Sequence, residues 1–123
     1  MEVIADTCWF IDLEKQRSEA IEFLRQNSSA TFVLTEVVRA ELYAGGRDIS
    51  RVAALVGAAD LLSIDDRVAK AWGDSARGLR SSGQMIGAND LWIASISLVY
   101  QVPVLTRNPS DFSRVPGVQV VHY

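Results

Sequence analysis

Val3-Ile4-Ala5-Asp6-Thr7 is the stretch that decides the fold, because a short, unbroken apolar run ends there at a carboxylate. Such a run is typical of a strand that is buried on both faces of a parallel sheet. Similar runs recur at residues 31–34, 61–64, 103–106 and 118–121. We therefore expect a central parallel sheet of four to five strands.

Helical patterns separate these runs. Apolar residues recur at helical spacing in residues 18–26, 36–44, 49–58, 66–81 and 90–100. Strands that alternate with helices favour an α/β fold, in which helices cover both faces of the sheet. The chain has 123 residues, of which 49% are hydrophobic, so we expect one domain over the whole length.

Composition limits the kinds of site and location. Cys8 is the single cysteine and His122 the single histidine, so an internal disulfide and a histidine-rich zinc site are both excluded. Any metal must be held by oxygen atoms. No apolar run reaches the roughly 20 residues that span a bilayer, and the start of the chain lacks a signal-peptide pattern. We expect a cytoplasmic protein with no membrane contact.

Four acidic residues are placed where they can meet. In an open parallel sheet, ligands bind beyond the carboxyl ends of the strands, where the strand order reverses. Asp6 follows the first strand, and Asp111 follows the strand at 103–106. Glu41 lies on the helix after the second strand, and Asp90 opens the last helix. Carboxylates held together repel one another unless a divalent cation lies among them, so the sequence predicts a metal site.

Each of these residues also has a purely structural interpretation. Asp6 and Asp90 are suited to capping the helices that follow them, and Asp111 lies in turn-forming sequence. Glu41 borders the buried stripe of its helix, where a carboxylate needs a metal or a distant arginine as partner. The four residues together, rather than any one of them, favour the metal site.

Two other folds with acidic pockets fit less well. A receiver domain requires an acidic pair after the first strand and a lysine after the last, whereas Asp65-Asp66 follows the third predicted strand and is typical of a helix cap. A haloacid dehalogenase phosphatase requires Asp-x-Asp after the first strand, but Cys8 occupies the second acidic position. The glycine signatures of phosphate-binding loops are absent.

Four segments resemble, in order, the motifs of PIN-domain ribonucleases of the VapC toxin type. They are Asp6-Thr7, residues 35–42 around Glu41, residues 87–94 around Asp90, and residues 105–117 around Asp111. The resemblance implies a three-layer Rossmann-like (PIN) domain. It also implies a Mg²⁺- or Mn²⁺-dependent endoribonuclease, the toxin of a toxin–antitoxin pair, which in many relatives cleaves tRNA or rRNA.

The same resemblance assigns roles to single residues and implies partners. Asp6, Glu41 and Asp90 match the core acidic triad, and Asp111 matches a fourth, more variable acid. A homodimer and a small antitoxin that blocks the pocket are further implications. Supporting roles around the metal and the acids are implied for Thr7, Thr106 and Asn108.

The net charge leaves an RNA partner open. The formal charge is −3, and without the four candidate ligands the rest of the chain carries +1. Arginines suit bidentate phosphate contact, but scattered arginines are equally typical of a solvated surface. A module that binds RNA or antitoxin without turnover, and a phosphatase for small substrates, remain open alternatives. The candidate phosphate contacts are Arg39, Arg47, Arg107 and Arg114.

Overall fold

The computed structural model describes residues 1–48, 50–51, 54 and 62–123. Within these residues, four short strands form one sheet in the order β2-β1-β3-β4, and each neighbouring pair is parallel. The expected α/β architecture with a parallel central sheet is confirmed. The strands are β1 (Glu2–Ala5), β2 (Thr31–Val33), β3 (Val104–Thr106) and β4 (Val120–His122).

Helices lie between the strands, and several match the predicted bounds. No helix in the described part of the chain combines the length and the apolar character that crossing a membrane requires. The sequence predicted three of the helices at these bounds and a fourth with a start two residues later, but it missed α1 and α6. The helices are α1 (Thr7–Glu14), α2 (Ser18–Gln26), α3 (Glu36–Ala44), α4 (Asp66–Ser81), α5 (Ala88–Tyr100) and α6 (Pro109–Ser113).

The strand predicted at residues 61–64 is wrong over the part that the structure describes. Residues 62–64 do not join the sheet, while residue 61 and most of the helix predicted at 49–58 lie outside the described residues. Instead, the carbonyl of Ser63 accepts a hydrogen bond from the Tyr100 hydroxyl at 2.8 Å. This segment runs directly into Asp65, which caps α4, and Ile64 is exposed. An apolar run without a strand partner does not become a strand.

The strand order reverses next to β1. From β1 the chain moves outward to β2, and it later returns to add β3 on the other side of β1. The backbone N–H of Asp6 donates to the carbonyl of Leu105 at 2.9 Å, which carries the pairing one residue past the end of β1. The carboxyl ends of β1 and β3 therefore form the crevice in which ligands of such sheets bind.

The core holds the start of α1 rigidly behind this crevice. Trp9 and Phe10 are fully buried, and the ring of Trp9 stacks on that of Phe32 with centroids 4.5 Å apart. Aromatic pairs of this kind add about 1 kcal/mol to the area they bury. Because Trp9 packs on Phe32 of β2, the first turn of α1 is fixed against the sheet. Trp9 is therefore a core residue.

Two glycines provide a test of the backbone conformation. Gly117 has a φ of +91°, and a Cβ added there would lie 3.0 Å from Cδ2 of Leu98. Gly78 lies inside α4, and a Cβ there would meet no described atom within 4 Å. Gly117→Ala should therefore lower the free energy of unfolding by about 1 to 2 kcal/mol. Gly78→Ala should raise it by about 0.5 to 1 kcal/mol. Urea unfolding measures both, and a change of the same sign in the two variants would contradict these conformations.

Candidate metal centre

Asp6 both caps a helix and lies in the crevice. It is the N-cap of α1, and its Oδ1 accepts a hydrogen bond from the N–H of Thr7 at 2.8 Å. Its Oδ2 accepts a hydrogen bond from Oγ1 of Thr106, at the end of β3, at 2.9 Å. A carboxylate has about four lone-pair sites, so these bonds orient Asp6 and leave others for a ligand. The capping role and the pocket role of Asp6 are therefore compatible.

Glu41 is joined to the same edge by Thr7. Oγ1 of Thr7 donates to Oε1 of Glu41 at 2.9 Å. The buried residues Val38 and Leu42 hold α3 against the core, which leaves Glu41 half-buried at the margin. The partner that the sequence required for the Glu41 carboxylate is therefore, in part, the Thr7 hydroxyl.

The pKa of Asp90 is sensitive to its burial and to the other three acids. Asp90 lies half-buried in the first turn of α5. Burial, followed by the negative charges of Asp6, Asp111 and Glu41, raises the pKa of the Asp90 carboxyl to about 6. The structure therefore brings all four predicted acids into one region. An open cavity of about 390 Å³ is lined by Glu41, Gly87, Ala88, Asn89 and Asp90.

Asp111 lies in the segment that follows β3. The segment expected to be a loop after β3 is the short helix α6, with Pro109 in its first turn, where the ring suits the helix geometry. The side chain of Asp111 is 44% exposed, and its Oδ1 lies 3.8 Å from Nη1 of Arg114. Its position favours a contribution at the rim rather than at the centre of the pocket.

Thr106 organises the supporting residues. Its Oγ1 donates to Asp6 and accepts a hydrogen bond from the backbone N–H of Asn108 at 3.1 Å. Asn108 therefore supports the site through its backbone, because its side chain makes no cap to α6. Sγ of Cys8 lies 3.6 Å from Oδ2 of Asp6, and burial raises the pKa of the Cys8 thiol.

The donor set fits a hard divalent cation. Within residues 1–48 and 62–123, no three acidic, histidine or cysteine side chains form a ready-made metal site. Mg²⁺ does not need one, since it keeps several waters and takes only one or two carboxylates directly. Burial, followed by the charges of Asp6, Asp111 and Glu41, raises the pKa of Asp90, and a cation beside these carboxylates would favour the ionised form. Asp6 and Asp90 are the carboxylates best placed to hold it, with Glu41 and Asp111 around them.

The family assignment follows from a match over nearly the whole chain. A family model for the PIN domain matches residues 3–118. This chain belongs to the PIN domain family. Ribonuclease VapC5 of Mycobacterium tuberculosis is 35% identical over 124 residues, which cover 96% of this chain and 90% of that protein. The resemblance to VapC-type PIN-domain ribonucleases is confirmed.

Solved structures support the same PIN fold. VapBC-1 of nontypeable Haemophilus influenzae superposes with a TM-score of 0.82 at 27% identity, covering 99% of this chain and 98% of that chain. VapBC2 of Rickettsia felis, solved with a DNA fragment from its promoter, gives a TM-score of 0.83 over 99% and 98% of the two chains. Its identity is 20%, so it shows the fold alone. The expected three-layer PIN architecture is confirmed.

Asp12 is the polar residue of this PIN domain that the sequence analysis missed. It is 5% exposed, and its Oδ2 accepts hydrogen bonds from Nη1 of Arg107 at 2.7 Å and from the Tyr123 hydroxyl at 2.8 Å. Burial, with the hydrogen bonds to Cys8 and Asp12, raises the pKa of Tyr123, so its hydroxyl keeps the proton. One sequence feature could have pointed to Asp12. It is a carboxylate four residues after Cys8, in a segment that is otherwise apolar there.

The candidate phosphate-contacting arginines differ in availability. Arg107 is paired with Asp12, and Nη1 of Arg47 lies 3.2 Å from Oε1 of Glu14. Arg39 is half-buried. Arg114, by contrast, has a side chain that is 45% exposed and lies beside the open acid of the pocket. Arg114 is therefore the best placed of the four to meet a phosphate.

Asp90→Asn should stabilise the metal-free protein at neutral pH. The folded state holds the Asp90 proton up to about pH 6, whereas an unfolded carboxyl loses it near pH 4. The stabilisation from the protonated group is therefore complete below about pH 4 and is lost as the pH rises through about 6. The variant avoids that loss. Its free energy of unfolding should therefore exceed that of wild type by about 1 kcal/mol at pH 7.5, after discounting for solvent screening.

Urea unfolding in chelator at pH 4 and pH 7.5 measures this difference. Asp74→Asn, in an exposed ion pair on α4, is the control and should show little dependence on pH. If the stability gap between Asp90→Asn and wild type is the same at both pH values, the pKa of Asp90 is not raised by burial and the neighbouring acids.

Proposed function

We propose that this protein is a Mg²⁺- or Mn²⁺-dependent endoribonuclease, the toxin of a toxin–antitoxin pair, and that it acts in the cytoplasm. The observation that carries the proposal is the position of Asp6 at the edge where β1 and β3 end, hydrogen-bonded to Thr106 and one residue from the Thr7–Glu41 pair. It is supported by the charges of Asp6, Asp111 and Glu41, which, after burial, raise the pKa of Asp90. The ribonuclease names of relatives that align over most of the chain support the reaction class.

The position of each acidic residue suggests its role in the proposed reaction. Asp6 and Asp90 would hold the cation, and Asp111 would act from the rim. A bound Mg²⁺ or Mn²⁺ supplies Lewis acidity and an acidified water. Glu41 receives the Thr7 hydroxyl on Oε1, which leaves its other oxygen to orient the attacking water. Thr106 keeps Asp6 in place throughout.

Proton balance sets the pH dependence of this site. Asp90 must be ionised to bind a cation, and the pKa of the free carboxyl is raised to about 6. Metal binding therefore displaces a proton below that pH, and affinity falls as the solution becomes more acidic. No histidine base is needed. Nε2 of His122 already lies 3.1 Å from the carbonyl of Arg107.

The chemistry also specifies the products and the substrate. Attack by water leaves a 5′-phosphate and a 3′-hydroxyl, and it does not use the ribose 2′-hydroxyl as nucleophile. The cavity lined by Glu41 and Asp90 is open to solvent, and Arg114 lies beside Asp111, which suits a long chain with repeated phosphates more than a small monoester. RNA is the proposed substrate, with tRNA and rRNA as the first candidates by resemblance.

Two protein partners belong to the proposal. The solved VapBC neighbours support a cognate antitoxin for this chain. By resemblance, that antitoxin covers the acidic pocket, and two toxin copies form a homodimer. Sedimentation of the purified chain, alone and with a candidate antitoxin, tests both assignments.

Asp6→Asn should abolish RNA cleavage while the fold is kept. Asn still caps α1 well, but it gives a cation only one neutral oxygen. Loss of an outer-shell partner costs roughly 10- to 100-fold in metal sites, so loss of a direct ligand should exceed about 100-fold. Asp65→Asn is the matched control, because Asp65 caps α4 through Val68 and is not part of the acidic pocket.

Single-turnover cleavage of end-labelled RNA, with sequencing of the product ends, is the measurement. Chelator should abolish wild-type cleavage, and Asp65→Asn should cleave like wild type. Full activity of Asp6→Asn, or of wild type in chelator, contradicts the metal-dependent mechanism. Tight RNA binding without any product indicates a binding module, and rapid hydrolysis of a generic phosphomonoester indicates a phosphatase.

A further inference from the structure

Asp12 anchors a second polar cluster next to the acidic pocket. Asp12 and Cys8 lie one turn apart on the same face of α1. The Asp12 side chain is only 7% exposed, and a charge at that depth requires close partners. It has two, since Arg107 and Tyr123 both donate to its Oδ2. The partners come from separate segments, one just after β3 and one just after β4.

The first connection to the pocket runs through Arg107. This residue stands between Thr106 and Asn108, and it is held at two points. Its guanidinium bonds to Asp12 at 2.7 Å, and its carbonyl oxygen lies 3.1 Å from Nε2 of His122. Because Arg107 directly follows Thr106, these contacts also fix the Thr106 hydroxyl, which donates to Oδ2 of Asp6.

The second connection runs through Tyr123 and Cys8. The Tyr123 hydroxyl has one proton, and it donates this proton in a hydrogen bond to the charged acceptor Asp12 at 2.8 Å. The same oxygen lies 3.5 Å from Sγ of Cys8. The thiol proton of Cys8 is then free to point to Oδ2 of Asp6, at 3.6 Å. Both donors to this oxygen of Asp6 therefore adjoin groups that are bonded to Asp12: Thr106 precedes Arg107 in the chain, and Cys8 packs against the Tyr123 oxygen.

We propose that Asp12 is a positioning residue of the metal site, which holds Thr106 and Cys8 against Asp6 through Arg107 and Tyr123. Asp6 then presents its remaining lone pairs in one orientation, and less side-chain entropy is lost when a cation binds. The inference rests on the proposed metal-dependent function. It extends that function to a residue that touches neither the cation nor the RNA.

The test is direct Mn²⁺ binding by calorimetry, with the free energy of unfolding measured in chelator on the same samples. Tyr123→Phe keeps the ring and the Asp12–Arg107 pair but removes the hydroxyl, and it should weaken Mn²⁺ binding about 3- to 10-fold. Asp12→Asn loses the charge that holds Arg107 and should weaken binding about 10-fold or more, within the range of outer-shell changes.

Glu14→Gln is the matched control. It removes the other acid–arginine pair of α1, Glu14 with Arg47, which makes no hydrogen bond to Asp6 or Thr106 within the described residues. Its Mn²⁺ dissociation constant should stay within about twofold of wild type. If both pairs were merely structural, all three variants would lose stability and keep the wild-type affinity.

The outcomes separate this inference from the proposed function. Variants that bind Mn²⁺ as tightly as wild type, whatever their stability, overturn the positioning role alone. A wild-type protein that takes up no Mn²⁺ overturns the positioning role and the metal-dependent mechanism together. Should Asp12→Asn fail to fold, Tyr123→Phe decides by itself, because it leaves the buried charge pair intact.

Discussion

The parallel pairing of β1 with β3 is the constraint on which the rest of the structure depends. The register aligns Ala5 with Leu105, and the next residues along, Asp6 and Thr106, share a hydrogen bond across 100 positions of sequence. A slip of one residue would turn Asp6 to the other face of the sheet. The complete burial of Val3, Ile4 and Ala5 prevents that slip, so the hydrophobic core fixes the position of a charged group.

The same pairing imposes an electrostatic cost. Once Asp6 is fixed at the end of β1, Glu41, Asp90 and Asp111 approach it from separate helices. Burial raises the pKa of Asp90, and the charges of Asp6, Asp111 and Glu41 raise it further. Hydroxyl donors from Thr7 and Thr106 offset part of the repulsion without neutralising it. This arrangement lowers stability at neutral pH, and either protonation of Asp90 or a bound cation would relieve the unfavourable charge.

The sequence was informative where local pattern decides structure and uninformative where distant contacts do. The bounds of α2, α3 and α4 follow from apolar spacing and capping residues, and the acids could be placed on one edge because strand ends obey a general rule. The helix α1 was not predicted as an element, although Asp6 suits a helix cap, since Trp9 and Phe10 follow the strand without helical periodicity, and Trp9 is held by stacking on Phe32. The role of Asp12 could not be predicted, because its partners lie 95 and 111 residues away.

The strand β4 shows how such distant contacts couple stability to the site. Val120 and Val121 are only half-buried, so β4 adds less to the core than β1 does. The side chains that follow, His122 and Tyr123, instead bond to the Arg107 carbonyl and to Asp12. If these contacts hold Asp6 ready for a cation, thermodynamic reciprocity requires the bound cation to strengthen the docking of β4 by the same free energy. Weak burial of this strand is then compatible with a well-ordered site, because a bound metal would supply stability that the strand's own packing lacks.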